Sequence, residues 1–562
     1  MYTAGDAKTR VAKSLGYPPE GQFAILGWHA RAKSYSPRSA GEVQQGHATA
    51  PALLCRAPFP ATPIDAAVSR RLQWLRVENA KMGIDQTAGP QTGTPPAMST
   101  EEKALAINLD AARYGTFAEI GAGQEVARWF FHVGHASATV AKSMSAYDMV
   151  ISDIVYGPTD HYVSRARLES MLDHEWAQLI ERLNPVRGER SSFFVFADTV
   201  ATRSRARNQG GQGWMGMRFE TQPQAPFSQI MIHVNLLDQV PVSEQEALGI
   251  LGVNLVYGAF YQHQPEALMK TLMEGLSRER VDIDMIKFSG PAFDKVDNRL
   301  ASLQLVELGL ADSAMFTAQG EVVQPAEVLY KRPVLVLRGK FRPITSVILD
   351  MLNGAVERFK KIPGMNGDPI VVMGMTLQDL DTGHGIDSRD FLDRADMLGA
   401  LGKTVMVSNY RRFDSVTSSL RRYTQEWLGF VMGLPTLRAV FDEQYYTSLP
   451  GGILEGLGRL FQGNVRLYVY PTMGYSGGVA TSATLELAPP LQHLLSYLRG
   501  KGGIEAIEDF DARQLRVFPQ EVLTAIQNGA PGWEQYLPPQ AAEVIKQRAL
   551  FGYRQTAREG SV

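Results

Sequence analysis

The densest run of residues able to hold an anion is Glu119-Ile-Gly121-Ala-Gly123-Gln-Glu-Val-Ala-Arg128, with Lys142-Ser143-Met-Ser145 a short distance on. Two glycines ahead of a helix let backbone N–H groups approach an anion, and the positive end of the helix dipole adds attraction. Lys142, Ser143 and Ser145 would add a charge and hydroxyl donors. The competing reading is a tight turn ahead of an ordinary helix, which is what lone glycine pairs mostly are. No clear strand precedes the glycines, and Val126 stands where a dinucleotide fingerprint needs its third glycine.

Other candidates sit where apolar runs end. His233 lies on Ile230-Met-Ile-His233-Val-Asn235; facing a cleft it would be a general base, and otherwise a satisfied core histidine. Asp284-Met-Ile-Lys287-Phe-Ser-Gly-Pro291 puts a lysine at a strand end, where α/β sheets bind ligands. Lys287 would hold a phosphate or, if desolvated, act as a nucleophilic amine. The alternative is a strand-end lysine keeping its ammonium in water, with Asp297 as the cap of the next helix. The run from Ser191 to Arg203 gives a strand emerging into Asp198, Thr199 and Arg203, and Ser408-Asn409-Tyr410 closes another strand in the same way. Together they predict one polar, ligand-binding sheet edge, with His233, Asp198 and Lys287 as candidate catalytic groups. Gly121, Gly123, Lys142, Ser143, Ser145, Arg203 and Asn409 are the matching candidate ligand contacts. His132-Val-Gly134-His135 matches the short H-x-G-H signature of nucleotidylyl-transferring enzymes, although the residues before it read as a helix interior.

Several chemistries are excluded. The only cysteine is Cys55, so the chain from Met98 onward holds no disulfide, thiolate nucleophile or cysteine-ligated zinc. Its eight histidines never form H-E-x-x-H or an i, i+4 pair, so no metal site is predicted, and no cofactor is named. A net charge of −2 gives no footprint for nucleic acid. No apolar run reaches the 18 residues of a membrane span and no export signal opens the chain, so a cytoplasmic protein is expected, away from membranes.

The elements that must position these residues begin near Met98. Residues 1–97 contain ten prolines and 11 Lys+Arg against 6 Asp+Glu, with no sustained apolar period. A disordered extension, a targeting peptide or a start codon placed too early would each explain this. Met98-Ser-Thr-Glu-Glu reads as a helix start with a capping box. From there apolar strands alternate with amphipathic helices. Strands are predicted over 149–154, 193–200, 214–220, 229–236, 283–288, 334–337, 370–375, 404–407 and 465–470. The chief helices are expected over 164–183, 243–261, 265–278, 298–308, 390–401 and 414–432. Buried strands alternating with helices imply an α/β fold with largely parallel sheets flanked by helices. Two lobes are expected, 98–350 and 351–562, with the boundary near 345–365.

Tyr114–Phe131, Ala141–Asp148, Asp284–Pro291, Val322–Tyr330 and Gly451–Glu455 resemble segments of a bacterial protein family. Its members are labelled TonB-dependent receptor or nicotinate-nucleotide adenylyltransferase. The resemblance runs from Met98 to about Tyr553, and the second label implies a transferase that meets nucleotide phosphates through His132 and His135. The residues themselves favour an enzyme acting on a nucleotide or phosphorylated small molecule. A non-catalytic scaffold that self-associates through 454–461 and the Tyr445-Tyr446 pair is the alternative.

Overall fold

The computed structural model describes residues 98–203, 210–262, 264–365, 367–474 and 478–554. The extension expected over 1–97 lies outside them. The capping box is present: Ser99 Oγ accepts from the Glu102 N–H at 3.2 Å, and the Glu102 carboxylate accepts from the Ser99 N–H at 2.8 Å.

Two sheets flanked by helices carry the fold. The first has six strands: β1 (Arg113–Ile120), β2 (Val140–Ser145), β3 (Ser192–Ala201), β4 (Gly211–Phe219), β5 (Ser228–Leu236) and β6 (Val281–Ser289). Their order is β2-β1-β3-β4-β5-β6; β1 pairs in parallel with β2 and β3, and the remainder is antiparallel. The second sheet contains β7 (Ser313–Phe316), β8 (Val322–Val323), β9 (Val334–Arg338), β10 (Ile370–Thr376), β11 (Thr404–Ser408), β12 (Leu428–Gly433), β13 (Val465–Tyr470) and β16 (Ile504–Ala506). A small ribbon, β14 (Thr472–Met473) with β15 (Val479–Ala480), lies apart from both.

The second sheet runs β16-β13-β12-β9-β10-β11-β7-β8, parallel from β16 to β11. The chain winds outward from β9 through β10 to β11, then crosses back to β12 on the other side of β9. Alternation along β9 shows why both faces must be covered. Leu335 and Leu337 join one core with Leu352, Ala355 and Phe359 of helix Ser346–Lys360. Val334 and Val336 join the other with Leu437 and Val440 of helix Leu434–Val440. Each of these buried leucine, valine and phenylalanine side chains contributes about 1.5–3 kcal/mol.

Four expectations are corrected. Met149–Tyr156 is a helix, not a strand: Ser152 and Tyr156, four residues apart, are its buried positions, and Gly157 at φ 83° ends it. The helix expected over 414–432 stops at Leu420, and Leu428–Gly433 is a strand buried between helices. Arg421 fixes the turn between them by donating to the carbonyls of Glu426 at 2.7 Å and Asn464 at 3.0 Å. The glycines at 121 and 123 do follow a strand, β1. Gly115 disguises it: a Cβ there would lie 2.2 Å from the Phe194 carbonyl oxygen of the neighbouring strand. Finally, the boundary placed at 345–365 falls within the second sheet, because β9 and β10 pair across it. The change of sheet occurs between β6 and β7.

Candidate functional site

The Gly121-Ala-Gly123 turn leads from the carboxyl end of β1 into helix Glu125–His132, with both glycines at φ near 100°. That helix N-terminus already holds an anion. The two Glu119 oxygens accept from the Val126 N–H at 2.9 Å and the Ala127 N–H at 3.0 Å. Asp198 lies opposite Glu119 on β3 and Ser145 opposite it on β2, so the three share a face. Asp198 is fully buried, and neither of its oxygens, nor the Ser143 or Ser145 hydroxyl, has a hydrogen-bond partner among the described residues. Burial, and then the nearby Glu119, push Asp198 well above the ordinary carboxylate range, and burial lifts Glu119 to about 7 against its backbone N–H donors, so the two carboxyls share a proton. Lys142 projects from the opposite face of β2 and pairs with buried Glu175. The glycine turn thus joins a strand, which the sequence did not reveal, to a helix whose N-terminus is capped by the protein's own carboxyl group. His132 and His135 are exposed at the C-terminal end of this helix, away from the helix start that the H-x-G-H reading requires.

His233 belongs to a second polar cluster, between the two sheets. A β-bulge separates its pairing with Met285 from that of Val234 with Ile283, and the extra residue is Asp284. The bulge turns the Asp284 carboxylate onto the His233 face, where Oδ1 lies 2.6 Å from Nδ1. The other oxygen accepts from Asn235 at 3.0 Å, Gln324 at 3.4 Å and the Tyr423 hydroxyl at 3.5 Å. Burial alone would raise Asp284; the His233 ring and these donors outweigh it and hold the carboxyl below its usual range. The pair is oriented as a proton carrier is, but His233 is only 1% exposed. Lys287 does not join it, since its ammonium is 2.6 Å from Glu321. Arg203 is held at the far end of β3 by the Asp238 carbonyl at 3.2 Å.

Asn409 alone of the expected contacts lies by an open crevice. The carboxyl ends of β9, β10, β11 and β12 surround a cavity of about 320 Å³ lined by Arg338, Lys340, Gln378, Asp379, Arg411 and Arg412, among others. Winding reverses between β9 and β12, and α/β sheets bind ligands at such switch points. Arg338 donates Nη2 to the Tyr410 carbonyl at 2.7 Å and lies over the Phe413 ring at 4.8 Å, while its buried Nη1 has no acceptor among the described residues. Burial pulls this guanidinium below its ordinary value. Arg412 is 2.9 Å from Asp414, whereas Lys340 and Arg411 have no ion pair among the described residues. Sequence reasoning missed these cations because they come from separate strand ends. Arg411-Arg412 directly follows the Ser408-Asn409-Tyr410 strand end, which was the available signal.

Among the described residues no helix is long and apolar enough to cross a membrane, and no group of His, Cys, Asp or Glu is placed to hold a metal ion. No protein-family profile matches the chain. No curated protein matches it either. Among solved structures it is similar to the competence/damage inducible protein CihA from Agrobacterium tumefaciens, at 16% identity and a TM-score of 0.22, over 29% of this chain and 97% of that one. A competence-damaged protein (CinA) superfamily member from Enterobacter cloacae gives 10% identity and a TM-score of 0.23, over 31% and 98%. At these TM-scores the likeness carries no functional argument.

Proposed function

We propose that this chain binds a phosphorylated small molecule or nucleotide in the crevice at the carboxyl edge of the eight-stranded sheet. The observation that carries the reading is Arg338. Among the described residues its buried Nη1 has no acceptor at the switch point, and Lys340 and Arg411 beside it have no ion pair. A buried N–H without a partner costs about 1–3 kcal/mol, which an anionic ligand would recover. A phosphate oxygen is the natural acceptor, because guanidinium forks match its geometry and nearby cations lower the cost of desolvating it.

Self-association through the Tyr445-Tyr446 pair has less support: Tyr446 is buried, with its hydroxyl donating to the Val440 carbonyl at 2.8 Å, and Tyr445 lines the crevice. Calorimetric titration with inorganic phosphate tests the binding reading. Arg338→Met keeps the stem over Phe413 and removes the charge, so phosphate affinity should fall about tenfold to a hundredfold. A wild-type protein that ignores phosphate, or a folded Arg338→Met variant that binds it unchanged, would sink the proposal.

A further inference from the structure

A second cavity of about 490 Å³ adjoins the cationic one, and Gln378 and Arg411 line both. It opens at the ends of β10 and β11, so one ligand can reach both spaces. Beyond Arg411 the cluster of cations, which has one carboxylate at Asp379, gives way to Glu307, Asp381, Asn409 and Thr376. The side chains of Gln378, Asn409, Arg411 and Glu307 make no hydrogen bond to another described residue, whereas Asp381 Oδ1 accepts from the Gly383 N–H at 2.8 Å and the Gly385 N–H at 3.2 Å, which leaves Oδ2 for a ligand. Two carboxylates here repel a second phosphate. They are, with amide groups, the partners that hydroxyls satisfy best, since a hydroxyl donates to a carboxylate while accepting from an amide N–H. An apolar group would leave them unpaired.

We infer that the ligand is a phosphorylated sugar, with its phosphate among Arg338, Lys340 and Arg411 and its hydroxyls against Asn409, Glu307 and Asp381. This rests on the proposed phosphate site, and it assigns the neighbouring cavity to the polyol. Arg411 spans the join, within reach of both the phosphate and the first hydroxyl. A free sugar phosphate and a ribonucleotide share this chemistry.

The test is calorimetry on the full chain with inorganic phosphate, ribose, ribose 5-phosphate and adenosine 5′-monophosphate. Ribose 5-phosphate should bind about tenfold or more tightly than inorganic phosphate, the worth of one or two added hydrogen bonds. Asn409→Ala, an exposed change, should remove most of that gain and leave inorganic phosphate binding as it was. Adenosine 5′-monophosphate bound more tightly still would name the ribonucleotide; equal binding would name the free sugar phosphate. Equal affinity for phosphate and ribose 5-phosphate, or an Asn409→Ala variant that keeps the difference, overturns the sugar assignment while the phosphate site stands. Failure of every phosphorylated probe, inorganic phosphate included, overturns both.

Discussion

At the carboxyl edge of the six-stranded sheet, β1, a Gly-Ala-Gly turn and a helix N-terminus meet as they do in many phosphate sites, and the acceptor there is the carboxyl group of Glu119. At the carboxyl edge of the eight-stranded sheet no glycine-rich signature is present, yet Arg338, Lys340 and Arg411 surround open space without an ion pair, and one buried guanidinium N–H lacks an acceptor among the described residues. The same topological position is filled from within at one edge and left unfilled at the other. Backbone geometry therefore offers an anion site, and the source of the counter-charge decides whether a ligand is needed. The glycines at 121 and 123 serve the turn, since a Cβ at Gly121 would lie 1.9 Å from the Val200 carbonyl oxygen.

The largest test of this contrast is to empty the filled edge. Glu119→Ala leaves the Val126 and Ala127 N–H groups without their acceptor, and stability should fall by about 2–3 kcal/mol. Sulfate should then raise the melting temperature of the variant more than that of the wild type, because the vacated helix start now takes an anion from solution. If Glu119→Ala melts like the wild type, the carboxylate is not what satisfies this edge.

What could be read in advance divides along the same physical line. Ile370–Met375, Thr404–Val407 and Val465–Tyr470 were legible as strands because both of their faces are buried, which leaves an unbroken apolar run bounded by turn residues. Leu428–Gly433 was not, since Val416, Leu420, Trp427 and Val431 continue a helical spacing across a turn held by Arg421 carbonyl contacts, which no local pattern encodes. At the site, the polar strand end at Asn409 was visible. Arg338 was hidden, because its meaning depends on β9 lying beside β12, 90 residues further along the chain. His233 could be read only as either a proton carrier or a core residue, because its partner Asp284 reaches it through a bulge that alternation cannot predict.

Two buried aspartates sharpen the contrast through pH. Burial and Glu119 raise Asp198, so between its unfolded and folded pKa values the native chain holds a proton that the unfolded chain has lost. Stability from this group is full below about pH 4 and declines as pH rises toward the folded value. Asp198→Asn should remove a slope of up to about 1.4 kcal/mol per pH unit and melt higher than the wild type on the alkaline side. Asp284 has the opposite sign. Held down by His233, Asn235 and Gln324 against the effect of burial, it adds stability above about pH 4 that is lost as pH falls through its folded value. Melting temperatures from pH 3 to 9 check both, and an Asp198→Asn profile parallel to that of the wild type would remove the shared proton from the description.

The smallest effect belongs to Lys287, which the sequence offered as a phosphate contact or nucleophilic amine, or as an ordinary strand-end lysine. Its side chain is three-quarters covered, but its ammonium is paired at 2.6 Å with the carboxylate of a largely exposed Glu321 side chain. Such a pair is screened by solvent, so Lys287→Met should change stability by about 0.5 kcal/mol or less. Phosphate affinity should stay within twofold of wild type, because the charge is already neutralised and lies on the other sheet. A tenfold loss of phosphate binding in Lys287→Met would instead make the first sheet a part of the ligand site, and the division of labour between a self-filled edge and an open one would fail with it.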